Sequence, residues 1–241
     1  MYLNKIKIQN FRNYEEQTID LNKDINIFYG YNAQGKTNIL ESVFLCAFGK
    51  SFRTNKEKEM ISFVSNDYLG LSHHPEVIKA GIDALEQYGA GAGASPLIGG
   101  HNFLHEQLEQ EIAHFLKNEY AITYTSGYAA NCSTLLAMMG KEDIAIMDMF
   151  THASVFDGCL CTNTKRFLHN NIDSLVHVLN NSKNFKNRFV IIDGVYSQDG
   201  DIAFLDQIYA VCKEHDAFLI VDDAHGIGVL GKTGRGIIED Y

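Results

Sequence analysis

The sequence predicts an α/β protein, a mostly parallel sheet with helices on both faces, preceded by a short strand, a loop and a helix. Three observations carry this. From residue 120 onward short apolar runs alternate with amphipathic ones, the rhythm of strand, helix, strand. Before residue 61 the texture differs, with one strand-like run leading into a glycine loop and an amphipathic stretch. The charge divides at the same place. Residues 1–61 hold nine Lys/Arg against seven Asp/Glu, a net of +2, and residues 62–241 hold eleven against twenty-three, a net of −12. Two segments are therefore expected, 1–61 and 62–241.

The elements follow in order. Residues 2–8 alternate apolar and polar and predict a strand, and residues 25–29 predict a second one ending at Gly30. In residues 38–48, Ile39, Leu40, Val43, Phe44 and Ala47 recur at helical spacing. The polar run 53–59 predicts a connector. Residues 76–88 and 103–116 predict helices separated by the glycines of 89–93. Further strands are expected at 121–125, 144–147, 166–169, 189–193 and 218–222, with helices at 129–138, 173–179 and 205–215.

Composition narrows the function classes. With 46% hydrophobic and 21% charged residues, the 241-residue chain has the make-up of an ordinary globular protein. No eighteen-residue apolar stretch predicts a membrane span. The opening MYLNKIKIQN is too polar for a signal peptide. Cys46, Cys132, Cys159, Cys161 and Cys212 form no CxxC pair, and a reduced, cytoplasmic protein is the expectation. The acidic larger segment is a poor general binder of nucleic acid. Gly89–Gly93 follows a helix rather than a strand and is not read as a dinucleotide fingerprint. His73-His74 before Pro75 reads as a helix start, and Cys159 and Cys161 as structural thiols.

The first chemical signal is Gly30-Tyr31-Asn32-Ala33-Gln34-Gly35-Lys36-Thr37, which fits GxxxxGK[ST]. Its glycines let backbone N–H groups curl around a phosphate. Lys36 is placed to reach the β/γ-phosphates, and the Thr37 hydroxyl to ligate Mg²⁺. ATP with Mg²⁺ is thus one expected ligand, held by Gly30, Asn32, Gly35, Lys36 and Thr37. The residues around the loop, Asn10-Phe11-Arg12-Asn13-Tyr14 before it and Lys50-Ser51-Phe52-Arg53-Thr54 after it, resemble the start of bacterial RecF proteins. Those are ABC-type ATPases of DNA repair and replication. The resemblance covers residues 1–61 and implies a nucleotide site. DNA enters only by inheritance from that family. An ATPase of this type also needs an acidic Mg²⁺ strand and a signature loop. Phe218-Leu219-Ile220-Val221-Asp222-Asp223 and Leu97-Ile98-Gly99-Gly100-His101 are look-alikes for them, so a single compact ATPase is the competing reading.

The second signal is a set of motifs in one order over residues 62–241. They are Ser65-Asn66-Asp67-Tyr68-Leu69-Gly70-Leu71, Ser126-Gly127-Tyr128-Ala129-Ala130-Asn131, Thr151-His152-Ala153-Ser154, Gly194-Val195-Tyr196-Ser197-Gln198-Asp199-Gly200-Asp201, Asp222-Asp223-Ala224-His225-Gly226-Ile227-Gly228-Val229 and Gly234-Arg235-Gly236. Together they resemble the α-oxoamine synthases, pyridoxal-phosphate enzymes that condense an acyl-CoA with an amino acid. The resemblance implies the large domain of a fold-type I transferase and a homodimer in the parent family. It implies that Asp222 meets the cofactor's ring nitrogen and that His152 stacks on the ring. Ser197 and His225 lie near its 3′-oxygen, Ser126, Gly127 and Tyr128 hold its phosphate, and Asn66 meets the substrate carboxylate. A carboxylate at the ring nitrogen keeps the ring protonated, which is what draws electrons from the substrate.

One departure stands out. The family's cofactor-bearing lysine lies well beyond the Asp-Asp-Ala-His motif, and the sequence ends at Tyr241, sixteen residues after His225. Lys232 comes too early. Residues 1–241 are therefore expected to hold pyridoxal phosphate non-covalently at best and to be catalytically incompetent. The whole reads as a chimera of two fragments, with a nucleotide-binding repair segment as the alternative function and a composite scaffold without activity as the third.

Overall fold

A computed structural model of the protein describes residues 4–23, 25–28, 35–48 and 65–240. They fall into two compact units, Met1–Tyr68 and Leu69–Tyr241. Tyr29, Gly30, Asn32 and the expected connector 53–59 lie outside the described residues.

In the first unit, β1 (Lys5–Phe11) and β2 (Tyr14–Asp20) form an antiparallel hairpin in register Phe11↔Tyr14 to Lys5↔Asp20. Arg12 makes the turn at φ 57. Ile6 and Ile8 point to one side, as the period of two requires, and bury against Ile39 of α1 (Lys36–Phe48). The Arg12 guanidinium grips the fully buried Glu41 carboxylate of α1 with two bonds, 2.7 and 3.2 Å. A bidentate pair of this kind is what lets a carboxylate remain buried. The expected first strand is thus present, shifted toward its C-terminal side. The expected strand at 25–29 is not: Ile25 and Ile27 are 79% and 80% exposed, and none of residues 25–28 belongs to a strand. The strand that follows β1 is instead 14–20, because the tight turn at Arg12 folds the chain straight back.

The second unit runs α2 (Pro75–Tyr88), α3 (Phe103–Leu116), α4 (Gly127–Met138), β3 (Ile144–Asp148), α5 (Ala153–Gly158), β4 (Asn163–Phe167), α6 (Ile172–Asn180), β5 (Arg188–Asp193), α7 (Leu205–Glu214) and β6 (Phe218–Asp222). The strands form a parallel sheet in the order β4-β3-β5-β6. Ile144, Ile146, Val190 and Ile192 bury against Leu175 and Leu179 of α6 and Ile208 and Cys212 of α7. The alternate residues, Ala145, Met147, Phe189 and Ile191, bury against Leu135 of α4, Val155 of α5 and the residues that end these helices, Met139 and Cys159. Each fully buried Ile or Leu contributes about 1.5–3 kcal/mol, so both layers are needed to hold the sheet. This is why β3 and β5 read as continuous apolar runs.

Two expected strands change. Segment 121–125 is not in a strand. Its Thr123 N–H and Oγ1 both donate to Glu109 of α3 at 2.8 Å, so a side chain takes the place of a neighbouring strand. The strand expected at 166–169 is β4, ending at Phe167. The Leu168 N–H donates to Ser174 Oγ at 3.0 Å and leaves the ladder. The look-alike of a signature loop is a single π-helical turn, Pro96–Gly100, with Leu97 96% exposed. Among the described residues no helix is long and apolar enough to cross a membrane.

Candidate functional site

Three adjacent strands end in aspartate: Asp148 on β3, Asp193 on β5 and Asp222 on β6. A parallel sheet with helical crossovers brings all strand C-termini to one edge, where open α/β sheets bind their ligands. Asp193 and Asp222 are direct register partners. The result is an acidic rim suited to a cationic group.

Asp222 is held from two sides. Its Oδ2 accepts from Asn131 Nδ2 at 2.7 Å and its Oδ1 from the Ala224 N–H at 3.1 Å. Asn131 lies in α4 and donates also to Ser154 Oγ at 2.9 Å. Ser154 in turn bonds His152 Nδ1 at 2.7 Å, and its N–H reaches the same nitrogen at 3.2 Å. A continuous chain of polar contacts therefore runs from Asp222 through Asn131 and Ser154 to His152. His152 caps α5, leaving its ring exposed beside that chain. The Asn131 side chain belongs to a motif quoted from the sequence, but its role as the link was not legible there, since nothing in spacing says which residue will bridge two elements.

Asp193 is 4% exposed and accepts from the His152 N–H at 3.3 Å. Burial, then the charge of Asp222 and more weakly of Asp148, pushes its carboxyl up to about 7; only the His152 N–H opposes them. Such a group carries a proton through the acid range. Asp223, the next residue after Asp222, turns the other way. Its Oδ2 accepts from the Ile237 N–H at 2.9 Å. A Cβ at Gly236, which sits at φ +84, would collide with that oxygen, so the glycine makes room for the carboxylate. Burial raises the Asp223 carboxyl.

The remaining expected residues are placed as follows. Ser126 caps α4, its Oγ accepting from the Ala129 N–H at 3.1 Å. Gly127 and Tyr128 form the first turn of that helix, whose leading N–H groups have no intrahelical carbonyl. Tyr128 donates to Asp157 of α5 at 2.6 Å, and this bond first of all pushes its phenol up to about 12. Ser197 is exposed in the turn after β5, and His225 is half-buried in the turn after β6. Asn66 falls in the first unit, where its Oδ1 accepts from the Tyr68 hydroxyl at 3.3 Å. In that unit Gly35, at φ 90, precedes α1, and a Cβ on it would press on the Tyr14 hydroxyl. Lys36 and Thr37 are the first two residues of α1. The look-alike of an acidic Mg²⁺ strand is β6, inside the four-stranded sheet of the second unit.

Two family models match the chain. One described as Aminotransferase class I and II matches residues 58–240, and one described as AAA domain matches residues 5–80. The chain is 42% identical to the 8-amino-7-oxononanoate synthase of Saccharophagus degradans over 200 residues, covering 82% of this chain and 50% of that protein. It is 42% identical to 8-amino-7-oxononanoate synthase 1 of Bacillus subtilis over 195 residues, 80% of this chain and 50% of that one. The chain thus spans about half the length of the curated relatives it matches. Among solved structures, the serine palmitoyltransferase of Sphingomonas wittichii matches with a TM-score of 0.74 and 32% identity, over 88% of this chain and 57% of its own. A structure described as SPT with PLP matches with a TM-score of 0.70 and 37% identity, over 73% of this chain and 45% of its own. The parallel α/β fold is the fold of these structures.

Proposed function

The chain belongs to the aminotransferase class I and II family, and from that membership we propose that residues 62–241 form the pyridoxal-phosphate site of an α-oxoamine synthase. The observation that carries this is the linkage Asp222–Asn131–Ser154–His152, which ties the ring-nitrogen partner and the ring-stacking histidine into one arrangement. The residues suit the group. The acidic strand ends favour a protonated ring nitrogen, and the first turn of α4 favours a phosphate. In this reading Asp222 holds the ring proton and His152 covers the ring face. Ser126, Gly127 and Tyr128 take the phosphate, and Ser197 and His225 face the 3′-oxygen. When bound, the cofactor supplies an electron sink for an amino acid's α-carbon. The parent reaction joins an acyl-CoA to a small amino acid, and the parent assembly is a homodimer.

Pyridoxamine 5′-phosphate tests this, because its binding needs no lysine. Titration into the protein is expected to give saturable 1:1 binding, weakened about tenfold or more in Asp222→Asn, since a charge-assisted bond to the ring nitrogen is worth about 1.5–3 kcal/mol. Absence of binding, or equal affinity in the two proteins, would overturn it.

A second reading concerns the first segment. The AAA domain match over residues 5–80 and the position of Lys36 and Thr37 at the start of α1 support a nucleotide site there. The chain is then a chimera whose boundary lies near residue 61, with DNA repair as the inherited setting of residues 1–61. ADP with Mg²⁺ is expected to bind weakly and to be lost in Lys36→Ala, without hydrolysis above background. Hydrolysis abolished by both Lys36→Ala and Asp222→Ala would favour one ATPase site instead.

A further inference from the structure

Two residues past β4 stands His169, which the proposed function does not use. Its imidazole is 17% exposed and lies between two carboxylates. Nδ1 is 3.0 Å from Asp148 Oδ1, and Nε2 is 2.7 Å from Asp201 Oδ2. An ionised carboxylate only accepts hydrogen bonds, and a neutral imidazole donates from one nitrogen only. Two carboxylate partners on two nitrogens are satisfied together only by the imidazolium. The ring is stacked on Phe150 at 4.5 Å and meets the edge of Tyr196 at 4.4 Å, so its plane is fixed as well. The next residue repeats the grip. The Asn170 N–H donates to Asp148 Oδ2 and its Nδ2 to Asp201 Oδ2, both at 2.9 Å.

The two carboxylates belong to two different segments of the site. Asp148 ends β3, and its Oδ1 and main-chain carbonyl accept from the Phe150 N–H and the Thr151 hydroxyl, each at 2.9 Å. That turn delivers His152. Asp201 closes the loop after β5, its carbonyl accepting from the Tyr196 N–H at 3.0 Å. That loop carries Ser197. We infer that His169 is a positioning residue: as a cation bonded to both carboxylates, it ties the turn bearing His152 to the loop bearing Ser197. The function proposed above enters only in what those two residues are held against.

The groups that set its charge are Asp148 from β3, Asp201 from the loop and the phenol of Tyr196. Burial lowers the affinity of His169 for a proton, but the bonds to Asp148 and Asp201 outweigh it and the net direction is upward. Burial keeps the Tyr196 phenol neutral. The tie is therefore complete below the ordinary histidine value of 6.5 and is lost as pH rises through the raised His169 value. A neutral ring would then face one carboxylate with a lone pair.

Long-range ¹H–¹⁵N correlation spectra of the ¹⁵N-histidine-labelled protein test the inference directly. His169 is expected to show imidazolium shifts at both nitrogens at about pH 6 and to titrate with a midpoint above the ordinary histidine value of 6.5. Asp201→Asn is expected to lower that midpoint. In the same variant, amide exchange in residues 195–202 should quicken about tenfold, the loss of one charge-assisted bond. The conservative His169→Gln, which retains one donor, should quicken the same residues and leave the far side of the sheet unchanged. A neutral His169 at about pH 6, or exchange in residues 195–202 unchanged in both variants, overturns the inference. Neither readout needs the cofactor. Failure of pyridoxamine 5′-phosphate to bind would count against the cofactor site while these spectra still decide the role of His169.

Discussion

Replacing Asp193 by asparagine converts the acidic rim into a measurable pH dependence. The wild-type carboxyl is 4% exposed and pushed up to about 7, chiefly by burial and then by Asp222 and Asp148. In the unfolded chain it returns to the ordinary value of 3.8. Between the two values the folded protein holds a proton that the unfolded chain releases. Stability therefore falls as pH rises through this window and levels off above about 7. A shift of about 3 units corresponds to about 4 kcal/mol at 1.36 kcal/mol per unit. Relaxation and water entry around the ionised group bring the expected loss to about 2–4 kcal/mol. The substituted amide does not titrate, and its oxygen can still accept from the His152 N–H. The assay is urea denaturation of both proteins at about pH 4 and pH 8. Groups that do not interact with Asp193 titrate in both chains and cancel in the difference. Asp193→Asn should lose about 2–4 kcal/mol less than wild type between the two pH values. Parallel losses would refute the argument that Asp193 is protonated when folded.

Two further outcomes follow from other contacts. Asn131→Leu leaves Asp222 Oδ2 and Ser154 Oγ each without a donor, and is expected to cost about 1–3 kcal/mol in thermal denaturation and to loosen pyridoxamine 5′-phosphate binding; unchanged values in both would sever the link between α4 and β6. Glu109 is held down to about 2, first by the Thr123 N–H, then by the Thr123 hydroxyl and His101, so its contribution is complete above the ordinary 4.5 and disappears as pH falls toward 2. Glu109→Gln should flatten the acid limb of the stability profile, and an unaltered limb would show that segment 121–125 does not depend on this carboxylate.

Much of the fold could be read from periodicity. The helices at 103–116 and 205–215 and the strands at 144–147 and 218–222 come within one residue of their ends, because the apolar pattern of each is strong. Residues 25–28 and 121–125 are apolar as well and form no strand. A strand exists only with a neighbour, and apolar pattern says nothing of where the neighbour is. The missed end of β4 has the same origin, since a serine hydroxyl six residues away takes the N–H that would continue the ladder.

The candidate site divides along the same line. Sequence alone determined that aspartates stand at the ends of apolar runs, that Ser126 opens a helix and that His152 precedes one, because capping and strand termination are local events governed by neighbours a few residues apart. It also carried the family, since the motifs keep order and spacing. Only the tertiary structure decided that Asn131 joins Asp222 to Ser154 across 91 and 23 residues, that Asp193 is forced to keep a proton and Asp223 turns away from Asp222, and that His169 sits between Asp148 and Asp201. Each depends on the charge and burial created when crossovers align strand ends on one edge, and none is a property of any residue in the extended chain.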